Sequence, residues 1–286
     1  MNLPDTVVSS IRSGRVVLFL GTGALAGSQN HEGNKIFSED LLRDALSIEF
    51  LDGQYNQDPL QWVAELAISE TNLGTVQDFI AEKLKDAQPA QYHRILPTFR
   101  WKAIVTVSLD RLAENIYEKS ENRAQKLVPI ISNNDQMDEK IISKNDLPLL
   151  KLHGCVTRTQ DPKLPFILAA DQYSTHKEGR DCLFKTFYEY CSEYTVIFIG
   201  KENRDSELRS VLLQTFNEVK NHPPYYLVRS RFTDTEKKLW ESKGVNILEG
   251  SFEDFIQSID KSIDKKIRPL AQALQIIDHP IERQFT

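Results

Sequence analysis

The sequence predicts an α/β fold whose mostly parallel sheet carries helices on both faces. Short runs rich in β-branched residues alternate with amphipathic stretches along most of the chain, and this alternation is typical of parallel sheets. The first run, Val16–Leu20, consists only of apolar residues, as expected for a central strand that is buried on both faces. One long block, between residues 58 and 99, departs from this alternation.

Seven runs are predicted to be strands because each is short, apolar or β-branched, and bounded by glycine or polar residues. The predicted strands cover residues 16–20, 103–107, 126–131, 147–152, 195–199, 225–228 and 245–248.

Helices are predicted where apolar residues recur every three or four positions. Ser38 is a suitable N-cap, and Glu39 and Asp40 favour the first turn of the helix that follows. Ser251 is predicted to cap a last amphipathic helix. The predicted helices cover residues 38–51, 110–119, 180–194, 206–219, 233–242 and a segment from 251, with a helical tail at about 265–286.

The block between residues 58 and 99 has only helical periodicity. Apolar residues such as Trp62, Leu66, Val76 and Phe79 recur at helical spacing. We therefore predict a helical insertion at about residues 52–100, with these aromatic side chains in its core. A chain of 286 residues fits one large domain with an inserted subdomain, and also two small domains. We favour a single domain over residues 1–286.

Composition limits the class of protein. A hydrophobic fraction of 40% and a charged fraction of 27% are ordinary for a soluble globular chain, and a net charge of -6 argues against a dedicated nucleic-acid binder. Cys155, Cys182 and Cys191 form no C-x-x-C pair, so the sequence predicts neither a zinc ribbon nor a disulfide framework. No signal peptide or membrane-spanning run is visible. We expect a cytoplasmic protein without a metal site.

Polar residues and glycines follow four of the predicted strands. In an open parallel sheet, ligands bind at the carboxyl ends of the strands, near a switch in strand order. The candidate site is therefore built from strand ends, which are Gly21-Thr22-Gly23, the segment from Thr106 through Ser108 to Asp110, His153-Gly154, and Gly200 with Asp205.

Each of these strand ends admits a structural interpretation as well as a functional one. The turn at Gly21 can cradle a phosphate or be a simple tight turn, since Gly27 does not complete a G-x-G-x-x-G fingerprint. Asp110 can cap the next helix or bond a ligand hydroxyl. His153 can be a core residue or accept a proton from water or a ribose hydroxyl.

The order of these motifs resembles the SIR2-like (sirtuin-related) domains over roughly residues 8–260. The chain has GTG, TVSLDRL, KLHG and IG with a later Asp, where the family has GAG-x-S, T-x-N-x-D, LHG and a GxS-like turn with a downstream Asp. The resemblance implies a Rossmann-like NAD-binding sheet with a smaller inserted domain. In deacetylating sirtuins that insertion carries a four-cysteine zinc site, which this chain lacks.

The zinc-free helical block is similar to that of bacterial SIR2-like NAD hydrolases, which deplete NAD in anti-phage defence and often oligomerise or assemble with a sensor protein. The resemblance implies that His153 is the general base, that Ser108 occupies the position of the family's water-orienting Asn, and that Asp110 helps to hold the nucleotide. The implied NAD-binding residues are Gly21, Thr22, Gly23, Thr106, Asp110, Gly154, Gly200 and Asp205.

Three positions depart from the family pattern. Leu25 replaces a serine of the phosphate turn, Ser108 replaces the asparagine, and Lys201 follows the glycine of the IG motif. Serine does not present an amide donor and a carbonyl acceptor together. The sequence therefore leaves three interpretations open: an active NAD hydrolase, a degenerate SIR2-like domain that binds a nucleotide as a sensor or serves as an oligomerisation scaffold, and an unrelated α/β nucleotide-binding domain.

Overall fold

The computed structural model of the chain describes residues 1–29, 33, 39–85, 87–135, 137, 141, 143, 145–159, 165–169, 172, 177–199, 213–216, 218–219 and 222–268. Several predicted features lie outside the described residues, namely Ser38, Gly200, Lys201, Asp205, most of the helix at 206–219 and the tail beyond 268.

A seven-stranded sheet organises the described part of the chain. Every strand pair in it is parallel, and the strand order is β3-β4-β2-β1-β5-β6-β7. The strands are β1 Val16–Leu20, β2 Ala103–Thr106, β3 Lys126–Ile130, β4 Asp146–Lys151, β5 Thr195–Ile199, β6 Tyr225–Arg229 and β7 Val245–Glu249. All seven predicted strands are therefore present, and their ends differ from the predicted ends by one residue at most.

Helices cover both faces of the sheet, as predicted. Alternate residues of β1 enter two separate hydrophobic cores, with Leu18 in one and Phe19 in the other. The helices are α1 Asp5–Arg12, α2 Glu39–Phe50, α3 Leu60–Glu70, α4 Leu73–Leu84, α5 Leu112–Glu118, α6 Asp181–Glu193, α7 Asp234–Glu241 and α8 Phe252–Ser262. The core that contains Leu18 includes residues of α1 to α5 and α8, whereas the other core includes residues of α6 and α7.

Helix α1 was not predicted, because its segment is short and mostly polar. Val7 and Ile11 lie four positions apart and are buried, so only one turn of apolar spacing signals this helix. Ser251 caps α8 as predicted, since its side chain accepts a hydrogen bond from the Asp254 N–H at 3.0 Å.

The predicted helical block contains α3, α4 and a 3₁₀ helix at Gln91–Thr98. One of its residues was wrongly placed in the core, because Trp62 is 46% exposed. The buried face of α3 is formed by Leu60, Val63, Ala64 and Ala67, which follow the spacing of a helical stripe. Trp62 lies outside that stripe.

The part of the chain that the structure describes contains no helix that is both long enough and apolar enough to span a bilayer.

Candidate functional site at the carboxyl edge of the sheet

The carboxyl edge is the side of the sheet on which the parallel strands end. β1 is central, with β2 on one side and β5 on the other. The chain first builds β2, β3 and β4 on one side of β1 and then crosses to build β5, β6 and β7 on the other side, so the strand order reverses between β1 and β5. Such a reversal opens a crevice at the strand ends. The Gly21 N–H donates to the Ile199 carbonyl at 3.0 Å, which ties the turn after β1 to the end of β5.

Thr106, the last residue of β2, connects β1 to the loop that follows β2. Its buried hydroxyl donates to the Leu20 carbonyl at 2.7 Å and accepts the Ser108 N–H at 3.0 Å. The Leu109 carbonyl accepts the Val156 N–H at 2.9 Å, which fixes the same loop from the side of β4.

Asp110 lies at the end of this loop and is only 4% exposed. Its Oδ1 accepts the N–H of Leu112, the first residue of α5, at 2.6 Å, and its Oδ2 accepts a short hydrogen bond from the Ser108 hydroxyl. A carboxylate at this place satisfies an N-terminal donor of the helix. The Asp110 carboxylate thus satisfies the N–H of the first residue of α5, and the Ser108 hydroxyl is directed to the same carboxylate.

A buried ion pair lies beneath the loop. Lys151, the last residue of β4, is 1% exposed, and its Nζ lies 3.1 Å from Oε1 of Glu114 on α5. The same ammonium donates to the backbone carbonyl of Asp110. Burial is the largest single influence on the pKa of Lys151 and would lower it, but Glu114, Cys155 and Asp110 together outweigh burial and hold that pKa above its ordinary value.

Neither member of this pair was predicted from the sequence to be a site residue. A signal was present, since Lys151 ends an otherwise apolar strand, L-P-L-L-K, and a lysine is almost never fully buried without a partner.

The turn after β1 is held by two residues of the helical block that were also missed. The Tyr92 hydroxyl donates to the Ala26 carbonyl at 2.5 Å, and His93 Nε2 lies 2.9 Å from the Ala24 carbonyl. Since His93 Nδ1 accepts the Ala90 N–H at 2.9 Å, the proton of a neutral ring must be on Nε2. Burial lowers the pKa of His93 to about 4, so the ring is neutral at physiological pH.

Within this turn, Thr22 begins a 3₁₀ helix that continues to Leu25. Gly27 follows with φ +77°, and a Cβ there would lie 3.5 Å from the Tyr92 ring. Gly27 is thus explained by backbone conformation.

His153 follows β4 directly and is 3% exposed. Its carbonyl accepts the Ile167 N–H at 3.0 Å. Gly154 has φ +93°, and a Cβ there would lie 3.2 Å from Nη2 of the buried Arg180. A glycine is therefore required at this position both by backbone conformation and by space.

Two small cavities lie beside Asp110. One, of about 20 Å³, is lined by Gly21, Leu25, Thr106, Ser108, Asp110, Glu114 and Lys151, among others. The other, of about 60 Å³, is lined by Leu25, Ser108, Asp110 and Ile167 together with apolar residues of the helical block. Leu25, Ser108 and Asp110 thus line both.

The fold therefore brings Gly21, Thr106, Ser108 and Asp110 together. Among the described residues that line the two cavities, His153 is not included. Both cavities are much smaller than the roughly 300–1,000 Å³ of a typical ligand pocket. In the described ranges, no cluster of three or more His, Cys, Asp or Glu side chains is arranged to hold a metal ion.

Comparisons with known proteins agree with this architecture. A solved structure of a mutant Sir2 homologue in complex with 2′-O-acetyl ADP-ribose is similar, with a TM-score of 0.50 and 12% sequence identity; the match covers 93% of this chain and 98% of that one. At this identity the likeness shows a shared fold. Curated protein sequences gave no match.

A match to a protein-family model shows which part of the sequence resembles known proteins. The SIR2-like domain family matches residues 102–248, about half of the chain, a stretch that begins just before β2 and includes the Asp110 loop and the KLHG motif. The chain belongs to the SIR2-like domain family.

Proposed function

We propose that the chain binds NAD at the carboxyl edge of its sheet and hydrolyses it to nicotinamide and ADP-ribose. The observation that carries this proposal is the convergence of Gly21, Thr106, Ser108 and Asp110 around one cavity, at the end of the central strand β1, beside the reversal of strand order. Membership of the SIR2-like family supports NAD as the ligand. The chemistry of the donor set also fits, since hydroxyl, carboxylate and backbone N–H groups are what a ribose and a pyrophosphate bind.

In the proposed reaction, water attacks the ribose carbon that carries nicotinamide. The bond from that carbon to the pyridinium nitrogen breaks, and nicotinamide leaves with the electron pair. His153 accepts the proton of the water, Ser108 positions the water, and Asp110, with Asp205, holds the ribose. The backbone approaches the nucleotide at five positions, which are Gly21, Thr22, Gly23, Gly154 and Gly200.

We further propose that the activity serves bacterial anti-phage defence in the cytoplasm, in a homo-oligomer or with a sensor protein. The support for this role is the zinc-free helical block at α3 and α4, which is similar to that of the bacterial SIR2-like NAD hydrolases.

A second function is favoured by two specific observations. Leu25 lines both cavities, and the Ser108 hydroxyl is already bonded to Asp110. Together they favour a catalytically degenerate domain that binds NAD or a related nucleotide as a sensor, or that serves as a scaffold for assembly.

The deciding experiment follows NAD, nicotinamide and ADP-ribose by chromatography with the purified chain and with His153→Ala. Removing the base is expected to lower turnover by two orders of magnitude or more, on the order of 10²–10⁴-fold. His222→Ala is the matched control, because this histidine precedes β6 at the opposite edge and stacks on Tyr225 with ring centroids 3.8 Å apart. It should leave turnover unchanged.

The other outcomes separate the candidates. Binding of NAD without turnover, seen as a thermal shift, would make the chain a nucleotide-binding module or an effector that requires its partner for activity. Neither turnover nor binding would leave a scaffold and refute NAD as the ligand. Equal turnover by the parent and His153→Ala would remove His153 from the mechanism.

A further inference from the structure

Burying the Lys151–Glu114 ion pair costs desolvation free energy. The net contribution of the pair to the stability of the fold does not explain why the pair lies at this place. Both side chains are almost fully buried, and a buried ion pair is often no more stable than apolar residues of the same volume. A charge kept in such a place calls for a contact that an apolar side chain does not make. Lys151 makes such a contact, because its ammonium also donates to the Asp110 carbonyl.

The register of the sheet places Lys151 so that its ammonium reaches the Asp110 carbonyl. Lys151 pairs in register with Thr106, so its side chain starts next to the strand end from which the Asp110 loop departs. The loop is held at Thr106 by the threonine hydroxyl and at Asp110 by its own carboxylate on Leu112. The ammonium joins the Asp110 end of this loop to the last residue of β4 and, through Glu114, to the first turn of α5.

Glu114 is oriented by one of its oxygens only. Oε1 contacts the ammonium, whereas Oε2 is buried with no hydrogen-bond partner among the described residues. Glu114 and Lys151 both line the 20 Å³ cavity, which has room for one water molecule. The carboxylate thus faces the same space as Ser108 and Asp110.

We propose that Lys151 is a positioning residue, which holds the loop from Ser108 to Asp110 in its nucleotide-binding geometry, and that Glu114 holds Lys151. This inference rests on the proposed function for its link to NAD. Its structural part, the fixing of the loop, stands independently. Lys151 acts through its hydrogen bond to the Asp110 carbonyl.

A double variant distinguishes the positioning of the loop by Lys151 from the ion pair that Lys151 forms with Glu114. Lys151→Met leaves Glu114 buried without its cation and is expected to destabilise the fold strongly. Lys151→Met combined with Glu114→Met removes both charges, and its unfolding temperature should return close to that of the parent. If Lys151 positions the loop, the double variant will be folded, but the amides of Ser108 and Leu112 will exchange with deuterium more than tenfold faster than in the parent.

The affinity for NAD, measured by calorimetry, should fall in the double variant on the order of tenfold or more, the usual effect of losing a hydrogen bond to a charged group. Lys102→Met is the matched control, since Lys102 lies immediately before β2, at its opposite end, over the rings of Tyr190 and Tyr194. It should change neither loop exchange nor NAD affinity.

A double variant with parental stability, parental exchange at Ser108 and Leu112, and parental NAD affinity would overturn the proposal and reduce the pair to a structural ion pair. If the parent chain binds no NAD, the proposed function fails, yet the exchange rates still decide whether Lys151 fixes the loop.

Discussion

The two edges of the sheet place their cations differently. At the carboxyl edge, the Lys151 ammonium is buried between the Glu114 carboxylate and a backbone carbonyl. At the amino edge, where the strands begin, Arg15 and Lys102 lie over aromatic rings, at 5.1 Å and 4.8 Å from the ring centroids of Tyr194 and Tyr190. A cation on an exposed ring needs no buried partner, whereas a cation in the interior needs a carboxylate.

This difference shows at which edge the fold buries charged and polar groups, whose desolvation costs free energy. The amino edge is stabilised by contacts that tolerate water. The carboxyl edge concentrates buried polar groups whose hydrogen bonds go to one another, and such networks are sensitive to the loss of any member. Three predictions test this contrast between the two edges of the sheet.

The first concerns the pH dependence of stability, through the histidine that holds the turn after β1. The pKa of His93 is about 4 in the folded chain, against an ordinary value of 6.5. Between these values the unfolded chain binds a proton that the folded chain does not, so the free energy of unfolding falls as the pH is lowered from 6.5 towards 4, by about 3 kcal/mol. Urea denaturation at several pH values measures this slope.

His93→Gln is the comparison variant, because its amide does not titrate. Its slope across the same pH range should be lower than that of the parent. Equal slopes in the two proteins would show that His93 is not the group responsible.

The second prediction compares two buried threonines at opposite edges. Thr106→Val removes a hydroxyl that serves two backbone groups, at Leu20 and Ser108, and leaves both unsatisfied. It should lower the free energy of unfolding by about 1–3 kcal/mol. Thr195→Val, at the start of β5, removes only a 3.3 Å contact with the Ser10 hydroxyl and should cost less. The contrast between the edges would be refuted by a larger cost at Thr195.

The third and smallest effect concerns Leu25, which lines both cavities beside Asp110. Leu25→Ala should enlarge these cavities and tighten NAD binding several-fold, about 1 kcal/mol. Leu66→Ala removes a partly buried leucine that packs on the same hydrophobic core and lines neither cavity in the described part of the chain, so it should leave the affinity unchanged. Weaker binding by Leu25→Ala would mean that this side chain contacts the nucleotide.

Local sequence patterns predicted most of the fold. The strands were predicted because each carries its own signal in apolar or β-branched runs bounded by breakers, and the loop at Asp110 followed from its position after β2. Periodicity also indicated helical structure where α3 and α4 lie. Trp62 was misassigned because apolar character was taken as burial, although it lies outside the buried stripe of α3.

The contacts that shape the site were not predictable in the same way. Lys151 contacts a carboxylate 37 positions away in the sequence, and His93 contacts a carbonyl 69 positions away. No periodicity within one element encodes such a partner. The lysine at the end of an apolar strand was the one sequence signal for the Lys151 contact. The His93 contact had no sequence signal.

The central place of β1 also affects how the chain folds during synthesis. β1 pairs with β2 from residue 103 and with β5 from residue 195, so this apolar strand stays without its second neighbour until the segment that contains β5 has left the ribosome. Contacts this distant in sequence form slowly, and an unpaired apolar strand is prone to aggregate before its partner is made. The yield of folded protein should therefore depend on the rate of synthesis and on chaperones that shield β1.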